Sequence, residues 1–236
     1  MSHLILVRHG QSQWNLEKRF TGWVDVDLAP NGKLEACKAG ELIKELKLNL
    51  DFFFCSYQKR AIETLNLILN TLRIKNNNVI KSWQLNERHY GALTGLNKDE
   101  MKIKLGEKKI KEFRRSWDVA PDPLNKNSPY HPINIETYKN VPRDKIPDTE
   151  SLKDTFERVT KYYEKNISDK IDKNIVIAAH GNSIRALCKY LFKINENDIS
   201  KLEIPTGNPL LIEFEKGIVK NARYLDKERA QDLINF

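Results

Sequence analysis

Cysteine is scarce in this chain: Cys37, Cys55 and Cys188 are the three among 236 residues. They form an odd, widely spaced set without a CxxC, which excludes a disulfide framework, and each sits in an apolar segment where buried free thiols belong. Long apolar runs are also missing. No stretch approaches the roughly 20 residues needed to cross a bilayer, and the opening residues lack the basic-then-apolar pattern of a signal peptide. A soluble, cytoplasmic protein without membrane contact is expected. The chain has no internal repeat, no low-complexity tract and no GxxxxGK[ST] loop, so repeat architectures and P-loop phosphate binding drop out. Its histidines and carboxylates do not fall at ligand spacings, and no metal site is expected. A basic block is absent as well. The net charge is +8, but 40 basic residues are mixed with 32 acidic ones along the whole length. This distribution argues against nucleic acid as a partner and for a solvated surface whose positive field attracts small anions.

What is present is enough apolar content, 40%, for one substantial core, and a single domain spanning 1–236 is expected. The chain is organised around Leu4-Ile5-Leu6-Val7-Arg8-His9-Gly10. Four apolar residues followed by Arg-His-Gly read as a short buried strand that delivers a charged loop, and in open α/β sheets that edge is where ligands bind. An Arg beside a His suits a phosphorylated ligand: the guanidinium grips phosphate oxygens while a neutral imidazole attacks phosphorus. Gly10 is expected to let the backbone approach the anion. Ser12, Asn15, Thr21 and Gly22 offer neutral donors in the loop that follows.

A helix is expected from Pro30, a strand over 51–56, and a helix with Ile62, Leu65, Leu69 and Leu72 on its apolar face. Arg60 falls in that helix's first turn, where a cation is unfavourable unless an anion accompanies it; the alternative is a surface arginine paired with Glu63. A strand at about 78–83 and helices at 97–105 and 107–116 follow. Six of the nine prolines then lie between Asp118 and Glu150, so 118–150 reads as a lid over the pocket, with a surface excursion as the alternative. Ser151 caps a helix to about Asn166. The apolar run 174–179 is a central strand delivering His180-Gly181-Asn182, and it mirrors the first strand. A helix through Ile184, Leu187 and Leu191, closing strands at 210–214 and 218–223, and a mobile polar tail from Leu225 complete the chain. The pattern is α/β, a three-layer sandwich with a mostly parallel central sheet.

Six blocks in one order, covering most of the chain, resemble the histidine phosphatase superfamily and, within it, the cofactor-dependent phosphoglycerate mutases. They are Leu6-Val7-Arg8-His9-Gly10, Trp14-Asn15, Phe20-Thr21-Gly22-Trp23, the run from Asn86 to Lys98, Arg114-Arg115-Ser116, and Ala179-His180-Gly181-Asn182-Ser183. Gln11 departs from the Glu that is commoner there. The resemblance implies a phosphoglycerate mutase-like fold and a glycolytic and gluconeogenic isomerase. Such an enzyme interconverts 3-phosphoglycerate and 2-phosphoglycerate through a phosphohistidine, primed by 2,3-bisphosphoglycerate and needing no metal. It implies His9 as nucleophile, with Arg8, Arg60 and a protonated His180 around the transferred phosphoryl group and Ser12, Asn15, Gly181 and Asn182 as neutral donors. Glu87 would be the acid/base, its pKa raised beside phosphate; an ordinary salt bridge with Arg88 is the alternative. Arg88, Tyr90, Lys98, Arg114 and Arg115 would hold the carboxylate and second phosphate, with Thr21 and Gly22 near the carboxylate. A homodimer is the expected assembly.

Two rivals stand beside this reading. One is a phosphatase of the same superfamily, in which water replaces the second hydroxyl, and the Glu87 to Lys98 block with Arg114-Arg115 argues against it. The other is a non-catalytic basic binding module, which the intact His9, Glu87 and His180 oppose.

Overall fold

Alternation along each strand decides which helix layer its side chains meet. The computed structural model describes residues 1–75 and 78–230. Its strands are β1 (Ser2–Arg8), β2 (Phe52–Cys55), β3 (Val79–Lys81), β4 (Ile175–Ala179), β5 (Leu210–Glu215) and β6 (Ile218–Tyr224). They form one sheet in the order β3-β2-β4-β1-β5-β6. β1, β2, β3 and β4 pair in parallel, and β5 and β6 close the sheet antiparallel. The helices are α1 (Gln13–Leu16), α2 (Pro30–Glu45), α3 (Lys59–Leu72), α4 (Lys98–Leu105), α5 (Glu107–Arg115), α6 (Leu152–Asn166) and α7 (Gly181–Phe192).

Leu4 and Leu6 of β1 with Ile175 and Ile177 of β4 pack on Leu152 and Val159 of α6 and Ile184 and Leu187 of α7. Ile5, Val7, Val176 and Ala178 face the other way, onto Ala39 and Ile43 of α2 and Leu65 and Ile68 of α3. Because β1 and β4 are covered on both faces, they read as unbroken apolar runs, and the three-layer α/β/α architecture follows. Parallel pairing aligns the C-terminal ends of β1, β2 and β4. Arg8 lies opposite Ala179, and the His9 N–H continues the ladder to the Ala179 carbonyl at 3.0 Å. The two histidines therefore arrive side by side.

Three expectations change. The strand expected at 78–83 is only Val79–Lys81, because Trp83–Leu85 winds into a 3-10 turn. The tail does not leave the surface at Leu225. Its N–H donates to the Pro209 carbonyl at 2.9 Å, and Arg229 donates to the Thr206 carbonyl at 2.8 Å and to Glu35 at 3.1 Å; the rest of that expectation, 231–236, lies outside the described residues.

The proline-rich 118–150 segment is folded into three 3-10 turns and pinned along its length. Tyr138 and Val141 are buried against Trp23. The Tyr138 hydroxyl donates to the Trp23 carbonyl, Thr137 to Asp25 at 2.8 Å, and the Ala92 N–H to the Asp122 carbonyl at 2.7 Å.

Candidate active site

His9 is 2% exposed at the end of β1, and its ring is fixed by its own neighbour: Nδ1 lies 2.7 Å from the Gly10 carbonyl. A carbonyl only accepts, so Nδ1 carries the proton and Nε2 keeps its lone pair. Arg60 Nε donates to that Nε2 at 3.3 Å. Burial, then Arg60 and Arg8, hold the imidazole well below its ordinary pKa, so it is neutral at physiological pH. Gly10 serves packing. A Cβ there would sit 2.0 Å from the Gly32 carbonyl oxygen, so the missing side chain is what lets the loop press on the start of α2.

Arg60 is fully buried, and Glu63 pairs instead with Lys33 at 3.0 Å, so the surface pairing is not formed. The Arg60 guanidinium donates to the carbonyls of Gly22 and Val24, both at 2.9 Å. His180, at the end of β4, has its ring centroid 5.0 Å from that of His9, with Nε2 2.7 Å from Ser56 Oγ at the end of β2. Burial, then Arg60 and His9, push His180 well below its ordinary pKa, so in the absence of an anion it is neutral.

Glu87 is 8% exposed. Burial alone would raise its carboxyl, but the Arg88 backbone N–H, Arg8, Arg60 and Asn182 outweigh it and hold the pKa below the ordinary value. Oε1 accepts from the Arg88 N–H at 2.8 Å and the Asn182 N–H at 3.1 Å. The expected rise thus belongs to a phosphate-bound state and is not a property of the free site. The Arg88 guanidinium does not bridge to Glu87; it donates to the Phe113 carbonyl at 2.8 Å and stacks 4.7 Å over the Tyr90 ring.

A cavity of about 150 Å³ opens at His9. His9, Arg8, Arg60 and Glu87 lie on its walls with Asn15, Thr21, Gly22, Gly181 and Asn182, and Tyr90, Lys98, Arg114 and Arg115 extend it away from the histidines. Arg114 and Arg115 end α5, where cations also suit the helix dipole. Burial and then Arg114 and Arg8 lower Lys98 to about 8, while the Tyr90 hydroxyl, which burial would raise, is brought to about 8 by Arg88 and Arg114. Arg8 Nε and Thr21 Oγ1 are buried without a hydrogen-bond partner.

Ser12, Arg88 and His180 are not on the cavity wall; His180 stands beside His9, against Ser56. Ser12 is buried and caps α1, its hydroxyl accepting from the Asn15 N–H at 3.3 Å. Arg88 reaches the pocket only through Tyr90 and the end of α5. Among the described residues the 118–150 segment contributes none to the cavity wall, and it packs on the Trp23 and Tyr90–Ala92 loops.

Sequence reasoning missed Arg19, Arg185 and Glu203, all on the wall. Arg19 directly precedes the Phe20-Thr21-Gly22 run, and Arg185 interrupts the apolar side of α7 one turn after Asn182, to whose Oδ1 it donates at 2.7 Å. Either position was a signal. Glu203, between Leu202 and Ile204, gave none. Among the described residues no group of three or more His, Cys, Asp or Glu is arranged to hold a metal, and no helix is long and apolar enough to cross a membrane.

The family model of the histidine phosphatase superfamily (branch 1) matches residues 4–131 and 128–226. A 2,3-bisphosphoglycerate-dependent phosphoglycerate mutase of Pelagibacter ubique is 67% identical over 100% of both chains. One of Maricaulis maris is 49% identical over 99% of this chain and 98% of its own. The solved α-ribazole phosphatase of Shigella flexneri superposes with a TM-score of 0.70 at 20% identity, covering 99% of this chain and 100% of its own.

Proposed function

The chain belongs to the histidine phosphatase superfamily, and on that premise we infer that it is a 2,3-bisphosphoglycerate-dependent phosphoglycerate mutase, interconverting 3-phosphoglycerate and 2-phosphoglycerate through a phosphohistidine in glycolysis and gluconeogenesis. The observation that carries the reading is the length of the cationic wall. Beyond the phosphoryl site at His9, Arg8 and Arg60, the cavity continues to Tyr90, Lys98, Arg114 and Arg115, which is a second anion site that a simple phosphatase does not need.

His9 Nε2 attacks phosphorus, and the Gly10 carbonyl on Nδ1 stabilises the positive charge that develops on the ring. Arg8 and Arg60 neutralise the equatorial oxygens; since such transfers involve little covalent work by the protein, positioning and charge supply most of the rate. His180 enters neutral, and a phosphoryl group beside it favours its protonation, so it becomes a cation when the charge is needed. Glu87, held as a carboxylate, takes the proton from the attacking hydroxyl and returns it to the leaving one. The buried, unpartnered Arg8 Nε and Thr21 Oγ1 on the wall fit an anionic occupant. When bound, 2,3-bisphosphoglycerate supplies the phosphoryl group that primes His9, its far end held by Lys98, Arg114 and Arg115. The enzyme works without a metal, as a homodimer in the cytoplasm, and 1–236 is one domain.

The test is 2-phosphoglycerate formation from 3-phosphoglycerate with and without added 2,3-bisphosphoglycerate. Activity that depends on the primer is expected; steady release of inorganic phosphate with no 2-phosphoglycerate would show a phosphatase instead.

A further inference from the structure

Among the described residues, two carboxylates stand on the wall of a largely cationic cavity. Glu87 has its chemistry. Glu203 has none assigned, yet it is held in place from both sides. Arg185 Nε donates to the Leu202 carbonyl at 2.8 Å, Arg8 Nη1 to the Ile204 carbonyl at 2.7 Å, and the Tyr224 hydroxyl to the Glu203 carbonyl at 3.0 Å. With the backbone fixed by two wall arginines, the side chain points its charge at a third. Glu203 Oε1 lies 2.5 Å from Arg115 Nη2, and Oε2 lies 3.9 Å from Arg185 Nη2.

Arg115 is therefore already engaged before any ligand arrives. A ligand anion that reaches it must displace a carboxylate, exchanging one charge-assisted hydrogen bond for another, and must then tolerate the displaced charge nearby. The Glu203 side chain is 45% exposed against 23% for Arg115, so it can swing into water when displaced. A ligand with one phosphate seated at His9 feels this competition weakly; one with a second phosphate feels it in full.

We propose that Glu203 is a specificity-determining residue, a resident carboxylate that competes with the ligand's second phosphate for Arg115 and so lowers the affinity for a bisphosphate relative to a monophosphate. The consequence is kinetic as well as thermodynamic. A cavity cationic at both ends would bind a bisphosphate tightly in its ground state, which does nothing for the chemical step and slows exchange. The inference rests on the mutase reading in that it names phosphoglycerates as ligands.

Calorimetric binding of 2,3-bisphosphoglycerate, 3-phosphoglycerate and inorganic phosphate to the parent, Glu203→Gln and Glu203→Asp tests it. Glu203→Gln should bind the bisphosphate about five- to tenfold more tightly at low salt, the effect of removing one partly exposed charge. The gain should shrink at high salt. Binding of 3-phosphoglycerate should change less than about twofold, and Glu203→Asp should stay near the parent. Unchanged or weaker bisphosphate binding in Glu203→Gln, or an equal gain for both phosphoglycerates, overturns the proposal. A parent protein that binds neither phosphoglycerate overturns the mutase reading instead; the Glu203 competition is then judged on inorganic phosphate, which Glu203→Gln must bind more tightly than the parent if the competition exists.

Discussion

At the scale of single residues, the site works by fixing proton positions before any ligand enters. The Gly10 carbonyl locks the tautomer of His9, and its Nε2 keeps a lone pair toward Arg60. Incubation with 2,3-bisphosphoglycerate should place an acid-labile phosphoryl group on it, and His9→Ala should show no label; a label that survives in that variant removes the covalent mechanism. The same burial has a cost at low pH. His9 and His180 lie well below 6.5 in the folded protein, and His89 is lowered to about 3 by burial and by His131. Below pH 6.5 the unfolded chain binds protons at these positions that the folded chain refuses, so stability is complete above that pH and falls as pH drops. Each histidine contributes a slope of up to about 1.4 kcal/mol per pH unit. Denaturant midpoints at pH 7 and pH 5.5 should therefore differ, with phosphate restoring part of the loss because an anion favours protonated His180. Equal midpoints would contradict the assignment of buried neutral histidines.

At the scale of elements, most of the fold was legible because its strongest signals are local. The apolar runs of β1 and β4 and the 3.6-residue periods of α3 and α6 state their own burial, and the histidines stand directly after the strands that carry them. The 118–150 segment was not legible, since proline density announces irregular backbone but says nothing about which surface it lands on. The capping role of Ser12 was hidden for a related reason: a hydroxyl near a catalytic loop looks the same in sequence whether it faces a ligand or caps a helix. The segment's contribution is to hold the walls. Trp23 lies between Tyr138 and the Gly22 and Val24 carbonyls that fix Arg60. Tyr138→Phe leaves a buried carbonyl without its donor and should cost about 1–3 kcal/mol of stability. It should also lower kcat more than it raises KM if Arg60 acts on the transferring group as proposed. Wild-type kinetics in a folded Tyr138→Phe protein would show that the segment is only surface.

At the scale of the whole molecule, the sheet stops at β3, an edge strand of three residues on which Ile80 is 39% exposed. Such an edge invites pairing or cover. Light scattering should give about twice the 27.5 kDa of one chain, and Ile80→Lys should lower it; a mass of one chain for the parent would refute the dimer. One feature of the topology reaches back to the ribosome. β4 inserts between β1 and β2, and it is the strand that carries the second histidine. At about 5–20 residues per second, His9 leaves the ribosome roughly 10–30 seconds before His180 exists, and throughout that interval β1 has neither of its final neighbours. A nascent or truncated chain therefore holds His9 without β4 or β5 beside it and without the cavity they help to close.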